Sequence, residues 1–223
     1  MNPIPGLLTL LTGYLLGSIP SGYLAGRWLR GIDIRNEGSG STGATNVLRV
    51  VGKTPALLVF LVDVGKGVVA VQLAKLTLEP LAAPLGQAAT FSADSWVVAA
   101  GLAALAGHIW PLWLGWKGGK AVATGLGMLL GLAWPVGLAC FGIFLATLSL
   151  SRIVSLASVT AAISLPLLML GWFPGQAGGI RWPYLILAVI TMLLVLWRHR
   201  SNLERLFAGT EPKLGQPKPA GKP

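Results

Sequence analysis

The chain has 223 residues, of which 54% are hydrophobic and only 11% charged, with a mean hydropathy of +0.71 and a formal net charge of +10. Nearly all charges fall between uncharged runs close to the ~20 residues that cross a bilayer, a pattern that excludes a soluble domain. The lipid bilayer is therefore one partner of the chain, and no nucleic-acid partner is expected.

In chain order, apolar spans are predicted at about 3–26, 54–76, 95–112, 121–133, 136–150, 153–172 and 182–197. The first carries no charge, and its basic flank begins only at Arg27. Basic residues that follow the apolar stretch argue for a span with its N-terminus outside and against a cleaved leader. Lys and Arg then gather in 27–53, at Lys117 and Lys120, at Arg152 and from Arg198 onward, whereas 77–94 has none and 173–181 only Arg181. The positive-inside rule turns this asymmetry into an all-α membrane protein with seven transmembrane helices, N-terminus outside and C-terminus cytoplasmic.

The stretch 121–150 is the tight place, because Lys120 and Arg152 both ask for the inner side. Fifteen residues of helix rise only about 22 Å against ~30 Å of hydrocarbon. Trp134-Pro135 marks a break, so two short or re-entrant helices shielded by protein are expected, with one tilted span as the rival. Cys140, the only cysteine, lies within an apolar run and reads as a packed thiol. Residues 1–211 form one membrane domain in this reading, and 212–223, rich in Pro and Lys, a disordered tail.

Three segments predicted to share the inner side carry candidate chemistry. The block Gly38-Ser39-Gly40-Ser41-Thr42-Gly43-Ala44-Thr45-Asn46, followed by Arg49, can fold into a nest of N–H groups around an oxyanion. It has the glycine spacing of a nucleotide phosphate loop, but Ala44 stands where that motif needs Lys, so an ATPase or GTPase is excluded in favour of a small-phosphate cradle. In the second segment, Lys117-Gly118-Gly119-Lys120, paired glycines allow close backbone approach between two ammonium groups. Trp110, Trp113 and Trp116 beside it read as an interfacial belt.

In the third segment, His199, Asn202 and Arg205 recur at three-residue spacing on one helix face. A histidine there suits acid–base work near neutral pH. Asp63 and Lys66 interrupt the second span at i, i+3, where they either serve the chemistry or lock helix packing. Ser151, Ser155 and Ser158 share a stripe that either lines a polar cavity or eases helix contact. A set of His, Cys and carboxylates suited to a metal is not evident, and neither is a buried carboxylate–histidine pair or a Gly-x-Ser-x-Gly elbow. A transporter of phosphate-containing anions is the competing class, but no internal repeat supports it.

Taken in order, several motifs resemble those of the bacterial membrane glycerol-3-phosphate acyltransferases that take their acyl chain from acyl phosphate. They are Gly17-Ser18-Ile19-Pro20, the glycine block, Asp63 to Gly67, Gly107-His108, Lys117 to Lys120 with Val122-Ala123-Thr124, and Ser151-Arg152 with Val154 to Ser158. The last is His199-Arg200-x-Asn202-Leu203-x-Arg205-Leu206 with Gly209 and Glu211. Ser41 stands where Asn is expected and Ala121 where Gly is expected.

The resemblance implies attack of the 1-hydroxyl of glycerol 3-phosphate on a long-chain acyl phosphate, giving lysophosphatidic acid and inorganic phosphate, the first step of phospholipid synthesis. It assigns catalytic roles to Ser39, Arg49, Lys120, His199 and Asn202. Substrate binding falls to Gly38, Gly40, Gly43, Thr45, Asn46, Lys117, Gly118, Gly119, Ser155 and Ser158. It also implies no cofactor, no covalent acyl-enzyme, a place in the bacterial inner membrane with the site facing the cytosol, and partnership with the soluble enzyme that makes acyl phosphate. For the base, a phosphate oxygen of the donor is favoured over His199.

Overall fold

A computed structural model describes residues 2–172 and 181–215, and these form helices and turns without strands. The helices are α1 (Ile4–Gly17), α2 (Ser21–Arg30), α3 (Ala44–Val50), α4 (Lys53–Ala82), α5 (Gln87–Ile109), α6 (Val122–Leu132), α7 (Trp134–Ser151), α8 (Val154–Trp172), α9 (Trp182–Arg198) and α10 (Arg200–Phe207). Ile4–Arg30, Lys53–Leu85, Gln87–Leu114, α7 and α8 are each long and apolar enough to cross a membrane. The pair α9 and α10, bent by 61°, makes a sixth candidate. Leu57, Leu61, Leu145, Leu167 and Leu193 stand exposed along these helices, the outward apolar surface that lipid requires.

Each predicted apolar segment is helical, but 3–26 is not one helix. Pro20 lacks an N–H and disfavours a helical Ile19, so the helix breaks at Ser18–Pro20. Lys66 on α4 donates to the released Ile19 carbonyl at 3.3 Å, and Ser21 at the start of α2 donates to Asp63 Oδ1 at 2.7 Å. The intramembrane pair therefore serves packing at this break.

The stretch 121–150 divides as expected at Trp134, into α6 and α7, which discards the single tilted span, but only α6 is short: α7, with 18 residues of which few are buried, is long enough to cross and is not shielded by protein. Eleven residues of α6 rise only about 16 Å, so its C-terminal carbonyls end inside the protein. Lys75 answers them, donating to Gly131 O at 2.9 Å and Leu132 O at 3.2 Å, a cation at the negative end of the helix. Close packing of α6 on α4 requires glycine: a Cβ on Gly127 would lie 1.9 Å from Val64 O. Cys140 is buried and free, as predicted. The chain continues against the fold past Glu211, with Leu214 N–H donating to Arg152 O, and residues 216–223 of the expected tail lie outside the described residues.

Candidate functional site

One end of the bundle holds a cleft of about 800 Å³, counting its open mouth, to which all three candidate segments contribute. Ser39, Arg49, Lys120, His199 and Asn202 line it together, as do Gly43, Thr45, Asn46, Ser155 and Ser158. Hydrogen bonds between segments explain the convergence. Arg35 Nη1 donates to Leu114 O at 2.8 Å, joining the first segment to the second, and Arg198 Nη2 donates to Gly119 O at 2.9 Å, joining the third to the second. Gly38, Gly40, Lys117, Gly118 and Gly119 are not on the cleft wall.

The glycine block differs from the expected nest. Asn46 is buried, and its side chain is spent inside the loop: Nδ2 donates to the carbonyls of Ile34, Glu37 and Ser41, and Oδ1 accepts from Ser39 N. Asn46 is thus the loop's scaffold, not a side chain offered to phosphate. Gly38 and Gly40 supply the two left-handed turns, φ +58° and +69°, that wrap the chain around it. Two further amides turn inward, Gly40 N to Glu37 O and Gly43 N to Ser41 Oγ. What the loop presents to the cleft is Ser39, Ser41, Thr45 and the guanidinium of Arg49. Arg49 makes no hydrogen bond or ion pair with a described residue, so a charged donor stands ready for an anion.

The second segment is held from outside. Gly119 N donates to His108 O and Gly118 N to Ile109 O, both at 3.1 Å, while Arg198 takes the Gly119 carbonyl. This extended stretch delivers Lys120 into the cleft, whereas Lys117 is exposed and not on the wall. Burial, reinforced by Arg205, Arg198 and Arg49 against the opposing pull of Glu211, lowers Lys120 to a pKa of about 8. Ala121, where the resemblance expects Gly, has φ +57°, a left-handed backbone that favours Gly.

At the third segment Lys120 Nζ donates to Asn202 Oδ1, and Asn202 Nδ2 donates to Glu211 Oε1 at 2.6 Å. Ser155 donates to the same oxygen at 2.7 Å and Arg205 Nε to Oε2 at 2.8 Å. Burial opposes the Glu211 charge, but these bonds outweigh it and hold the carboxyl below its usual range. Glu211 thereby ties α10 to α8. His199, just past the end of α9, places Nδ1 2.8 Å from Val195 O, so Nδ1–H donates and Nε2 remains an acceptor. Burial and then the Lys120 charge lower it to a pKa of about 4, so it is neutral at pH 7.

Sequence reasoning assigned His108 and Glu211 no site role and left Asp63 between chemistry and packing, yet all three are on the cleft wall. It also expected no buried carboxylate–histidine pair, and the structure holds one. Asp63 Oδ1 lies 3.6 Å from His108 Nδ1, with Lys66 Nζ bridging them at 2.8 Å from each. A Lys ammonium has only donors, so His108 Nδ1 accepts from it and the pair is not a base dyad. The signals were a polar i, i+3 pair in a span and a histidine ending another, whose meeting 42 residues apart no local pattern gives.

A second cavity, about 730 Å³ by the same measure and almost wholly apolar, adjoins the cleft. The two share Phe60, Lys120 to Ala123, Phe144 and Ser158, and the groove runs on past Leu129, Cys140 and Leu165 between helices. An anion held at Lys120 would have its apolar tail in the groove.

Comparison with known proteins agrees with this geometry. The family model for glycerol-3-phosphate acyltransferase matches residues 7–209. The chain belongs to the glycerol-3-phosphate acyltransferase family. Relatives named glycerol-3-phosphate acyltransferase include one from Parasynechococcus marenigrum (strain WH8102), 64% identical over 96% of this chain and 92% of that one, and one from Prochlorococcus marinus (strain MIT 9313), 67% identical over 94% and 95%. The crystal structure of PlsY (YgiH), an integral membrane glycerol 3-phosphate acyltransferase, in its glycerol 3-phosphate form, matches with a TM-score of 0.81 at 36% identity, covering 94% of this chain and 96% of that one. Its lysophosphatidic acid form matches with a TM-score of 0.78 at 36% identity, covering 94% and 95%. This acyltransferase is accordingly a multi-pass membrane protein, and its cationic cleft and apolar groove are what a family joining a phosphate ester to an acyl chain needs.

Proposed function

We propose that this chain transfers the acyl group of a long-chain acyl phosphate to the 1-hydroxyl of sn-glycerol 3-phosphate, releasing lysophosphatidic acid and inorganic phosphate. The observation that carries the reading is the shared wall at Lys120 to Ala123, where a cleft for anions opens into a groove for a chain. Two phosphate-bearing reactants repel each other, and Arg49 and Lys120 offset that repulsion while Ser39, Thr45, Ser155, Ser158 and Asn202 orient oxygens.

The hydroxyl oxygen attacks the acyl carbonyl carbon, the carbon–oxygen bond to phosphate breaks, and the hydroxyl proton leaves on a phosphate oxygen of the donor. Substrate assistance is favoured because His199, at a pKa of about 4, is a poor base. Phosphate is itself the leaving group, so no acyl-enzyme is required. The cleft faces the cytosol of a bacterial inner membrane, where the soluble producer of acyl phosphate can deliver its product. The chain crosses seven times, counting the short α6, from an outer N-terminus. In support, basic residues crowd the cleft end, and Arg181, at the far end, is neutralised by Asp94.

The test is release of inorganic phosphate from palmitoyl phosphate by the purified protein in detergent. Release with lysophosphatidic acid formed, only when glycerol 3-phosphate is added, is expected, with palmitoyl-coenzyme A unable to substitute. Release without the acceptor, or equal use of the thioester, refutes the reading.

A further inference from the structure

The network of Asp63, Lys66 and His108 has one side explained by packing, at Ile19 and Ser21, and another that faces the cleft. On that second side the His108 ring lies edge-on against the Gly118–Lys120 stretch. A Cβ on Gly119 would fall 2.2 Å from His108 Nε2, while the Gly119 amide already donates to the His108 carbonyl. His108 therefore buttresses the stretch twice, through ring and backbone.

The ring itself is held in place. Asp63 holds Lys66 at 2.8 Å, Lys66 donates to Nδ1 at 2.8 Å, and Thr124 Oγ1 stands 3.3 Å from the same nitrogen. With Nδ1 the acceptor, the proton of a neutral ring sits on Nε2, and a flip or swing of the ring would give up the bond from Lys66, whose ammonium keeps Asp63 and the Ile19 carbonyl. We propose that His108, clamped by Asp63 and Lys66, is a positioning residue that sets the Gly118–Gly119 stretch and through it the aim of Lys120 at the substrate phosphate. The inference rests on the acyl-transfer reading and adds to it a group that acts through Lys120 rather than on the reacting atoms. A displacement of Lys120 on the scale of an ångström weakens a charge-assisted contact by about tenfold in binding.

Two replacements separate this role from mere filling of space. Gln reaches the position of Nε2 and still abuts Gly119, whereas Asn ends near Nδ1, keeps an acceptor for Lys66 and leaves the stretch unsupported. Kinetics with palmitoyl phosphate and varied glycerol 3-phosphate, beside thermal midpoints in detergent, should give His108→Asn a KM for glycerol 3-phosphate raised about tenfold, with kcat within about threefold. His108→Gln should stay within about threefold of the parent in both. A thermodynamic cycle gives an independent reading should the Asn variant be unstable: Gly119→Ala should raise KM alone but much less in the His108→Gln background, whose flexible end can yield to the new methyl.

An unchanged KM in His108→Asn overturns the proposal. So does a Gln variant no better than Asn, or additive effects of Gly119→Ala and His108→Gln. A parent that turns over no palmitoyl phosphate refutes instead the acyl-transfer reading.

Discussion

Two glycine-rich segments reach the same cleft and are built on opposite plans. Residues 38–46 fold around one of their own side chains, with Asn46 satisfying three carbonyls and one amide of the loop. Gly118 and Gly119 have no such internal partner and are held by α5 and by Arg198 at the end of α9. Glycine in the first segment permits left-handed turns; in the second it makes room for the His108 ring. The lesson is that a glycine-rich motif signals close backbone approach without saying what approaches, whether ligand, side chain or neighbouring helix.

Breaking the first plan should cost most. Asn46→Ala leaves Ser41 O and Ser39 N without their partner, while Ile34 O and Glu37 O keep Glu37 N and Gly40 N; at roughly 1 kcal/mol for each lost bond, stability should fall by about 2 kcal/mol in thermal denaturation. Activity should fall with it, because Ser39 and Arg49 lose their frame. An Asn46→Ala protein with parental melting and kinetics would mean the loop does not depend on its own side chain.

The second plan delivers a cation whose charge is sensitive to pH. Lys120 has its pKa depressed to about 8 by burial, so it is protonated below that pH and loses its charge above it. For the free enzyme, kcat/KM for glycerol 3-phosphate should decline above about pH 8, approaching tenfold per unit, and in Lys120→Arg the decline should move beyond pH 10 because Arg stays charged. A flat parental profile to pH 10 would remove Lys120 from anion binding.

Smaller effects sharpen the contrast along the same stretch. Ala121 holds a left-handed backbone at φ +57°, so Ala121→Gly should raise stability by up to about 1 kcal/mol, seen as a higher thermal midpoint. A lower midpoint would show that the Ala121 methyl, which lines both cavities, matters more than the strain. Lys117, two residues before the stretch turns inward, is exposed and off the wall. Lys117→Ala should leave kcat and KM within about twofold, and a larger change would restore it to the substrate site.

The helices were legible because apolar runs and intervening charges report the bilayer directly, and even the α6–α7 break announced itself at Trp134-Pro135. The division at Ser18–Pro20 was not, since an uncharged run reads as continuous and the lysine that satisfies Ile19 lies 47 positions away. Ser39, Arg49, Lys120, His199 and Asn202, whose roles the resemblance implied, come from segments marked by glycines and helix ends, and all five line the one cleft. Asn46 was assigned to the ligand because its type suits phosphate, although its side chain was needed by its own loop. Asp63, His108 and Glu211 escaped assignment because their partners come from other helices, which spacing along one segment does not reveal.

The central claim is that cleft and groove form one site for two phosphate-bearing reactants, one of which carries a long apolar chain. Gly125 lines the groove, and a Cβ there meets only Leu105 Cδ2, at an ordinary contact distance of 3.7 Å, so Gly125→Leu starts a bulky apolar side chain in the groove from an uncrowded position. Turnover of palmitoyl phosphate and of acetyl phosphate by this variant, each at varied glycerol 3-phosphate, is the most direct test. The account predicts at least a tenfold loss in kcat/KM for the long donor, with the short donor and the KM for glycerol 3-phosphate kept within about threefold. Equal loss of both donors, or of neither, would contradict it.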